Sequence, residues 1–160
     1  MPQGDGEREP AMRADFTVFA RDYPETALVV EIKADVGPVR ETDAAVRQLA
    51  RSMWGANCHY GLIITPTNSY VLRDDFRTGG PDSIRIANTL PTRTLLSRVA
   101  PSDSGLWSEE RLHLLVGKWL ERLIASYEEA LPDDPGVLQA LFPDVVGAVA
   151  GGRIVAEASV

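Results

Sequence analysis

The sequence predicts an α/β or α+β domain in which a mixed central sheet is flanked by helices. Three observations lead to this prediction. Short runs of β-branched and aromatic residues occur in the first half of the chain, amphipathic helical patterns lie between and after them, and turn-forming Gly, Pro and Asn separate the segments. The predicted order, β-β-α-β-β followed by mainly helical segments, is typical of a layered domain rather than a helix bundle or a sandwich.

The elements of the first half follow in order along the chain. Residues 15–20 are predicted to form a strand, and residues 27–34 form the second arm of a hairpin with it. A helix is expected at 42–55, because a threonine suits its N-cap and its apolar residues recur at intervals of three and four. Two further strands are predicted at 61–65 and 69–73, on either side of a proline-containing turn.

The second half is predicted to be mainly helical. A short edge strand at 84–87 and a short helix at 94–99 precede a strongly amphipathic helix at 108–129. A short helix at 136–141 and a strand at 153–156 complete the predicted elements. The apolar stripe of the long helix is expected to serve as core or as a subunit contact.

Length and composition define the expected organisation. At 160 residues, the chain has the length of one ordinary domain. Residues 1–12, rich in Gly, Pro and charge, are predicted to form a flexible tail, and residues 13–160 a single domain. Residues 13–75 are its predicted core, and residues 76–160 a peripheral, mostly helical elaboration.

Composition also bears on location and partners. No window approaches the roughly eighteen apolar residues of a membrane span, and the N-terminus lacks the apolar segment of a secretory signal. The single Cys58 cannot form an internal disulfide, so we expect a cytoplasmic protein with no membrane partner. The net charge of −7 weighs against tight non-specific nucleic-acid binding. A local arginine patch could still face DNA, because screening acts over about 8–10 Å.

The segment Ala27–Ala34 is the most informative part of the sequence. It is an apolar run that carries an acid, Glu31, and a base, Lys33, two residues apart. On a strand both would point to one face, while Val30 and Ile32 point to the other. Burying an isolated charge costs several kcal/mol, and a purely structural strand needs neither group. We therefore expect a divalent cation and a phosphate substrate to compensate both charges.

The choice of lysine supports a chemical role. The chain has two lysines, Lys33 and Lys118, against fourteen arginines. The compact ammonium of lysine can hold a water molecule or shift its pKa, which arginine does not do.

Asp15, at the start of the first strand, could meet Glu31 and Lys33 through antiparallel pairing. Two carboxylates a few ångströms apart repel each other unless a cation lies between them. Mg²⁺ favours such sites, with one or two carboxylates plus waters and phosphate oxygens as ligands. A bound metal lowers the pKa of its water, and Lys33 would orient or deprotonate that water.

Asp15, a gap of fifteen residues and then Glu31-Ile32-Lys33 resemble the PD-(D/E)xK nucleases, the restriction endonuclease-like superfamily. The helix and strands at 42–73 also fall in that family's order, so the resemblance covers the predicted core at 13–75. It implies a restriction endonuclease-like core and metal-dependent hydrolysis of DNA phosphodiester bonds, with Mg²⁺ as cofactor or Mn²⁺ as substitute.

The resemblance also implies roles for individual residues. Asp15 and Glu31 correspond to metal ligands, the backbone carbonyl of Ile32 to a further ligand, and Lys33 to the catalytic lysine. Gln48 corresponds to a glutamine that many of these nucleases place on the helix after the ExK strand.

The chain departs from the family pattern at several positions. Ser52 stands where a tyrosine often follows the glutamine, and Ala14 replaces the proline of the motif. The family often has a glutamate on a helix before the first strand, but that helix is shortened or missing here. Glu7 or Glu9 could substitute for it.

Structural explanations exist for the same residues. Asp15 could be a turn residue at the start of the strand that caps a neighbouring amide. Glu31 and Lys33 could form an ion pair on a partly exposed edge strand, worth about 0–1 kcal/mol. Gln48 could be a solvated helix residue. Arg47 and Arg51, one turn apart, could contact DNA phosphates or form a solvated face.

A second function is compatible with the sequence. The acidic charge and the missing helix glutamate favour a catalytically inactive module that keeps the nuclease fold for binding or assembly. A third alternative is intermediate between these two. The chain could be a subunit of a homo-oligomer or larger complex in which a partner supplies the missing DNA contacts. The region of Trp107 and Trp119 is the predicted contact surface for such a partner.

Overall fold

The computed structural model describes residues 14–22, 25–34, 37–40, 43–100, 105 and 107–157. The predicted tail at residues 1–12 lies outside these ranges. The strands within them are β1 (Phe16–Phe19), β2 (Thr26–Ile32), β3 (Tyr60–Ile64), β4 (Asn68–Asp74), β5 (Ile84–Pro91) and β6 (Arg153–Ala156). The α-helices are α1 (Ala44–Gly55), α2 (Thr92–Leu95), α3 (Glu109–Ala125), α4 (Tyr127–Ala130), α5 (Pro135–Leu141) and α6 (Asp144–Val149).

All six strands form one mixed sheet, in the order β5-β4-β3-β2-β1-β6. Strands β2 and β3 are parallel and are joined by α1, because a parallel pair requires a crossover connection. The other neighbouring strands pair antiparallel. The predicted combination of α and β structure, with a mixed sheet flanked by helices, is confirmed.

Side chains of β2 point alternately to the two faces of the sheet, as expected. Val30 and Ile32 pack in the larger of two core clusters, whereas Val29 packs in the smaller one on the opposite face. Glu31 therefore shares its side of the strand with Val29.

Helix α1 covers one face of the sheet and the helices of the second half cover the other. The buried side of α1 consists of Val46, Leu49, Ala50 and Met53. Residues of this side pack with Ile63 of β3 and Leu72 of β4 in the smaller cluster. The larger cluster joins the opposite face to buried residues of α2, α3, α5 and α6. The three–four spacing of α1 and α3 is thus explained by burial of one stripe on each helix.

The second half of the chain, expected as a peripheral elaboration, belongs to the core of the fold. It supplies strands β5 and β6 at the two edges of the sheet and most of the helical residues of the larger cluster. The prediction of a contact surface at two tryptophans is wrong, because Trp107 is 6% exposed and Trp119 0% exposed. Both side chains are enclosed within the larger cluster instead.

Several helix boundaries differ from the prediction for local reasons. The long helix ends at Ala125 because Ser126 is extended (φ −162°, ψ 109°), and α4 is a separate turn. Helix α6 is absent from the prediction, since its Val and Gly residues favour helix weakly. Burial of three of its valines stabilises it. No helix in the described ranges has the length and apolar character needed to cross a membrane.

Strand β5 and the helix after it also differ from expectation. The edge strand extends to Pro91 rather than residue 87, and α2 begins at Thr92 instead of residue 94. Much of β5 lies exposed at the edge of the sheet. Few of its residues therefore need to be apolar, and its sequence predicts a strand only weakly.

The contact between β6 and β1 gives a first prediction. A Cβ atom on Gly152 would collide with the backbone oxygens of Phe19 and Val149, whereas one on Gly147 would meet nothing within 4 Å. Gly152→Ala is therefore expected to lower the free energy of unfolding by about 1–3 kcal/mol, measured by urea denaturation. Gly147→Ala, in a helix, is the matched control and should be neutral or stabilising. Equal stability of both variants would contradict this packing of β6.

Candidate functional site

The β1–β2 hairpin brings Asp15 to the end of β2. Phe16 pairs with Val30 in the antiparallel register, so the preceding Asp15 comes opposite Glu31. The Ile32 N–H donates to Asp15 Oδ2 at 2.7 Å, and the Glu157 N–H donates to the Asp15 backbone oxygen at 2.9 Å. The side chain and the backbone of Asp15 are thus each fixed by a neighbouring segment.

Glu31 is held in surroundings that disfavour its charge. Its side chain is half-buried, and it lies beside Ile63 in the parallel pairing with β3. Burial, followed by the negative charges of Asp15 and Glu109, raises its pKa from 4.5 to about 7, against an opposing effect of Lys33. Among the described residues, none forms a hydrogen bond or ion pair with its carboxylate. The described part of the chain therefore leaves the negative charge of Glu31 under-compensated.

Lys33 directly follows β2 on the same side of the site. Its N–H donates to the Ile64 oxygen at 3.0 Å, which continues the parallel ladder beyond the last residue of β2. Its side chain is half-buried, and its positive charge lowers the pKa of Glu31. The fold thus places the acid and the base of the motif within electrostatic reach of each other.

Helix α3 adds two residues to the site that the sequence analysis did not identify, Glu109 and His113. Ser108 caps the helix by accepting a hydrogen bond from the Arg111 N–H at 3.1 Å, and Glu109 is its first residue. His113 Nε2 lies 4.0 Å from Asp15 Oδ1. The imidazole packs on the Phe16 ring with centroids 4.6 Å apart. Glu109 and His113, one helical turn apart, lie on neighbouring positions of the helix surface.

The signal that could have identified these residues is weak. The Glu109–His113 spacing places a carboxylate and an imidazole on one side of α3, but the same spacing is common on solvated helices. Nothing in the local sequence links that side to Asp15, because the two segments lie far apart in the chain.

The structure gives no hydrogen bond or ion pair between the predicted residues of α1 and this cluster. Gln48 is exposed, and the structure shows no hydrogen bond between it and Asp15 or Glu31. Arg47 and Arg51 are exposed on α1 and line a separate groove of about 270 Å³. The predicted site therefore divides into an acidic cluster at the end of β2 and a basic groove beside α1.

The acidic cluster suits a hard divalent cation better than zinc. In the part of the chain that the structure describes, no group of three or more His, Cys, Asp or Glu side chains could hold a metal ion. Mg²⁺, however, is usually bound by one or two carboxylates together with waters and substrate oxygens. Asp15 and the under-compensated Glu31 are two neighbouring carboxylates of the kind that such an ion accepts.

Comparison with known proteins gives no assignment for this chain. It matches no protein-family model, no curated protein and no solved structure.

Proposed function

We propose that this chain is a metal-dependent nuclease that hydrolyses DNA phosphodiester bonds at the cluster of Asp15, Glu31 and Lys33. The observation that carries the proposal is Glu31, a half-buried carboxylate whose pKa is raised to about 7 by burial and by neighbouring acids. A protein gains no stability from such a group. A cation between Asp15 and Glu31 would offset the free-energy cost of holding two carboxylates close together. Metal binding would therefore explain why both groups are present.

The arrangement of the strands supports the same proposal. An acid before β1, an antiparallel β2 with Glu31-Ile32-Lys33, a crossover helix and a parallel β3 follow in the order of the PD-(D/E)xK nucleases. We therefore propose a restriction endonuclease-like core for β1 to β4 with α1. Glu7 and Glu9, which could replace the helix glutamate of that family, lie outside the described residues. Glu109 at the start of α3 brings an acidic charge near Glu31 instead.

The residues of the cluster would have separate roles in metal binding and in positioning the attacking water. Asp15 and Glu31 would hold Mg²⁺ together with the Ile32 carbonyl, and the ion when bound would supply a water of lowered pKa and neutralise phosphate charge. Lys33 would orient the attacking water through its ammonium group and offset negative charge near the phosphorus. Asp15 is held in position by the Ile32 N–H, so it needs little rearrangement to act.

Cleavage of supercoiled plasmid DNA tests the proposal. The wild-type chain is expected to nick or linearise the plasmid in Mg²⁺ or Mn²⁺ and to be inactive in EDTA. Asp15→Ala should abolish cleavage, because it removes a metal ligand. The same variant also loses the bond to the Ile32 N–H, so its folding is checked by circular dichroism. Metal-independent cleavage, or equal cleavage by the folded Asp15→Ala variant, would refute the proposal.

The second candidate is a catalytically inactive nuclease-fold module for binding or assembly. It is favoured by the net charge of −7 and by the lack of a three-ligand group among the described residues. Calorimetric titration with Mn²⁺ separates the two functions. A nuclease should show a heat of binding that Glu31→Gln abolishes, whereas a scaffold should bind no metal at this position.

A further inference from the structure

A basic groove runs between α1 and the segment that leads into β5. Its arginines are Arg47 and Arg51 of α1 and Arg85 of β5, and the acid among its lining residues is Asp82. Arg85 pairs with Asp75 at 4.0 Å, so Arg47 and Arg51 carry the excess positive charge. The remaining lining residues are Val46, Ala50, Pro81 and Ile84. A local excess of positive charge in a chain of net charge −7 predicts an anionic ligand.

The two arginines of α1 differ from most arginines of the fold. Arg73 pairs with Asp144 at 2.7 Å, and Arg98 and Arg122 donate to backbone oxygens. Arg47 and Arg51 are exposed, and within the described ranges their guanidinium groups form no hydrogen bond or ion pair. Both groups are therefore available to a ligand without breaking an existing contact.

The geometry of α1 suits a repeating anion. Arg47 and Arg51 are one turn apart, about 6 Å along the helix axis, so they can reach two phosphates of the same strand. The planar guanidinium donates two parallel hydrogen bonds to a phosphate. Val46 and Ala50 of the same helix are buried in the core, which fixes the backbone that carries both arginines.

We infer that this basic groove binds the phosphodiester backbone of nucleic acid and positions it, separately from the acidic cluster. The inference rests on the proposed function, because it assigns a second contact to the same substrate. The lining of the groove includes neither Asp15, Glu31 nor Lys33. Binding at the groove can therefore be measured without the metal site.

The test is fluorescence anisotropy of a labelled DNA duplex, titrated with the full chain in EDTA. The double variant Arg47→Ala/Arg51→Ala is expected to bind at least about 10-fold more weakly at about 50 mM salt. Loss of two phosphate contacts should also lower the salt slope of log K by about 1.8, at about 0.9 for each contact. The same titration with an RNA duplex shows which nucleic acid is preferred.

The matched control is Arg21→Ala/Lys118→Ala, which removes two exposed positive charges outside the groove lining. An equal loss of affinity in the control would overturn the inference, since the effect would then depend on net charge alone. No DNA binding by the wild type, or equal competition by polyglutamate of the same charge, would overturn it as well.

The inference and the proposed function can fail separately. Arginine-dependent binding by a chain that cleaves nothing would uphold the groove and refute the nuclease. Metal-dependent cleavage with binding unaffected by Arg47→Ala/Arg51→Ala would uphold the nuclease and refute the groove.

Discussion

Lys33→Ala is expected to reduce the rate of plasmid cleavage in Mg²⁺ by about 100-fold or more, since positioned proton-transfer groups contribute about 10²–10⁴ to a rate. The ammonium of Lys33 lies within electrostatic reach of Glu31. The substitution removes this charge from the cluster without changing the backbone of β2. The measurement is the initial rate of nicking at saturating DNA, so that the loss appears in kcat rather than in KM.

Lys118→Ala is the matched control for this prediction. It removes the other lysine of the chain, which is exposed on α3. Its nicking rate should equal that of the wild type. The proposed role of Lys33 would be untenable if both lysine variants cleaved at the wild-type rate.

Glu31→Gln is expected to change the pH dependence of stability. Glu31 has a pKa of about 7 in the folded chain against an ordinary value of 4.5. Between these values the folded state binds a proton that the unfolded state releases, so the free energy of unfolding falls as pH rises through this window. Glutamine stays neutral, so the variant should lack this decrease.

The expected increase in the free energy of unfolding of Glu31→Gln can be estimated. At about 1.4 kcal/mol per pKa unit, and discounted for the partial solvent exposure of Glu31, Glu31→Gln should be about 1–2 kcal/mol more stable than wild type above pH 7. Urea denaturation over a pH series measures this difference. Glu121→Gln, on the exposed side of α3, should retain the wild-type profile. Parallel profiles for wild type and Glu31→Gln would contradict the raised pKa.

Metal binding should offset the loss of stability that ionised Glu31 causes in the wild type. A divalent cation binds the ionised carboxylate, so Mg²⁺ is expected to raise the Tm of the wild type above pH 7 more than below pH 5. Glu31→Gln should show no such pH-dependent gain. This comparison tests whether the Glu31 carboxylate binds the proposed metal ion, without an assay of cleavage.

Local sequence was sufficient to predict the hairpin and the helix and strand that follow it. The β-branched run at Ala27–Ile32 and the apolar stripe of α1 specify strand and helix through short-range alternation and periodicity. Hairpin pairing of consecutive strands then brings Asp15 opposite Glu31. The acid–lysine part of the candidate site was predictable because its residues lie on, or directly next to, the two strands of one hairpin.

The contribution of the second half was not predictable in the same way. Pairing of β6 with β1, and the approach of α3 to Asp15, are contacts between residues far apart in sequence. Helix α6 forms from residues of weak helix propensity because Val145, Val146 and Val149 are buried. Such contacts depend on the packing of the whole chain, so no local pattern encodes them.

The sequence by itself determined the mixed α and β architecture and the identity of the acid–lysine pair, since alternation and helical periodicity act over a few residues. Only the tertiary structure decided the electrostatic state of that pair. The pKa of Glu31 depends on its burial and on charges from Asp15, Lys33 and Glu109. Asp15 precedes β1, Lys33 follows β2 and Glu109 begins α3, and folding alone brings them close enough to Glu31 to interact.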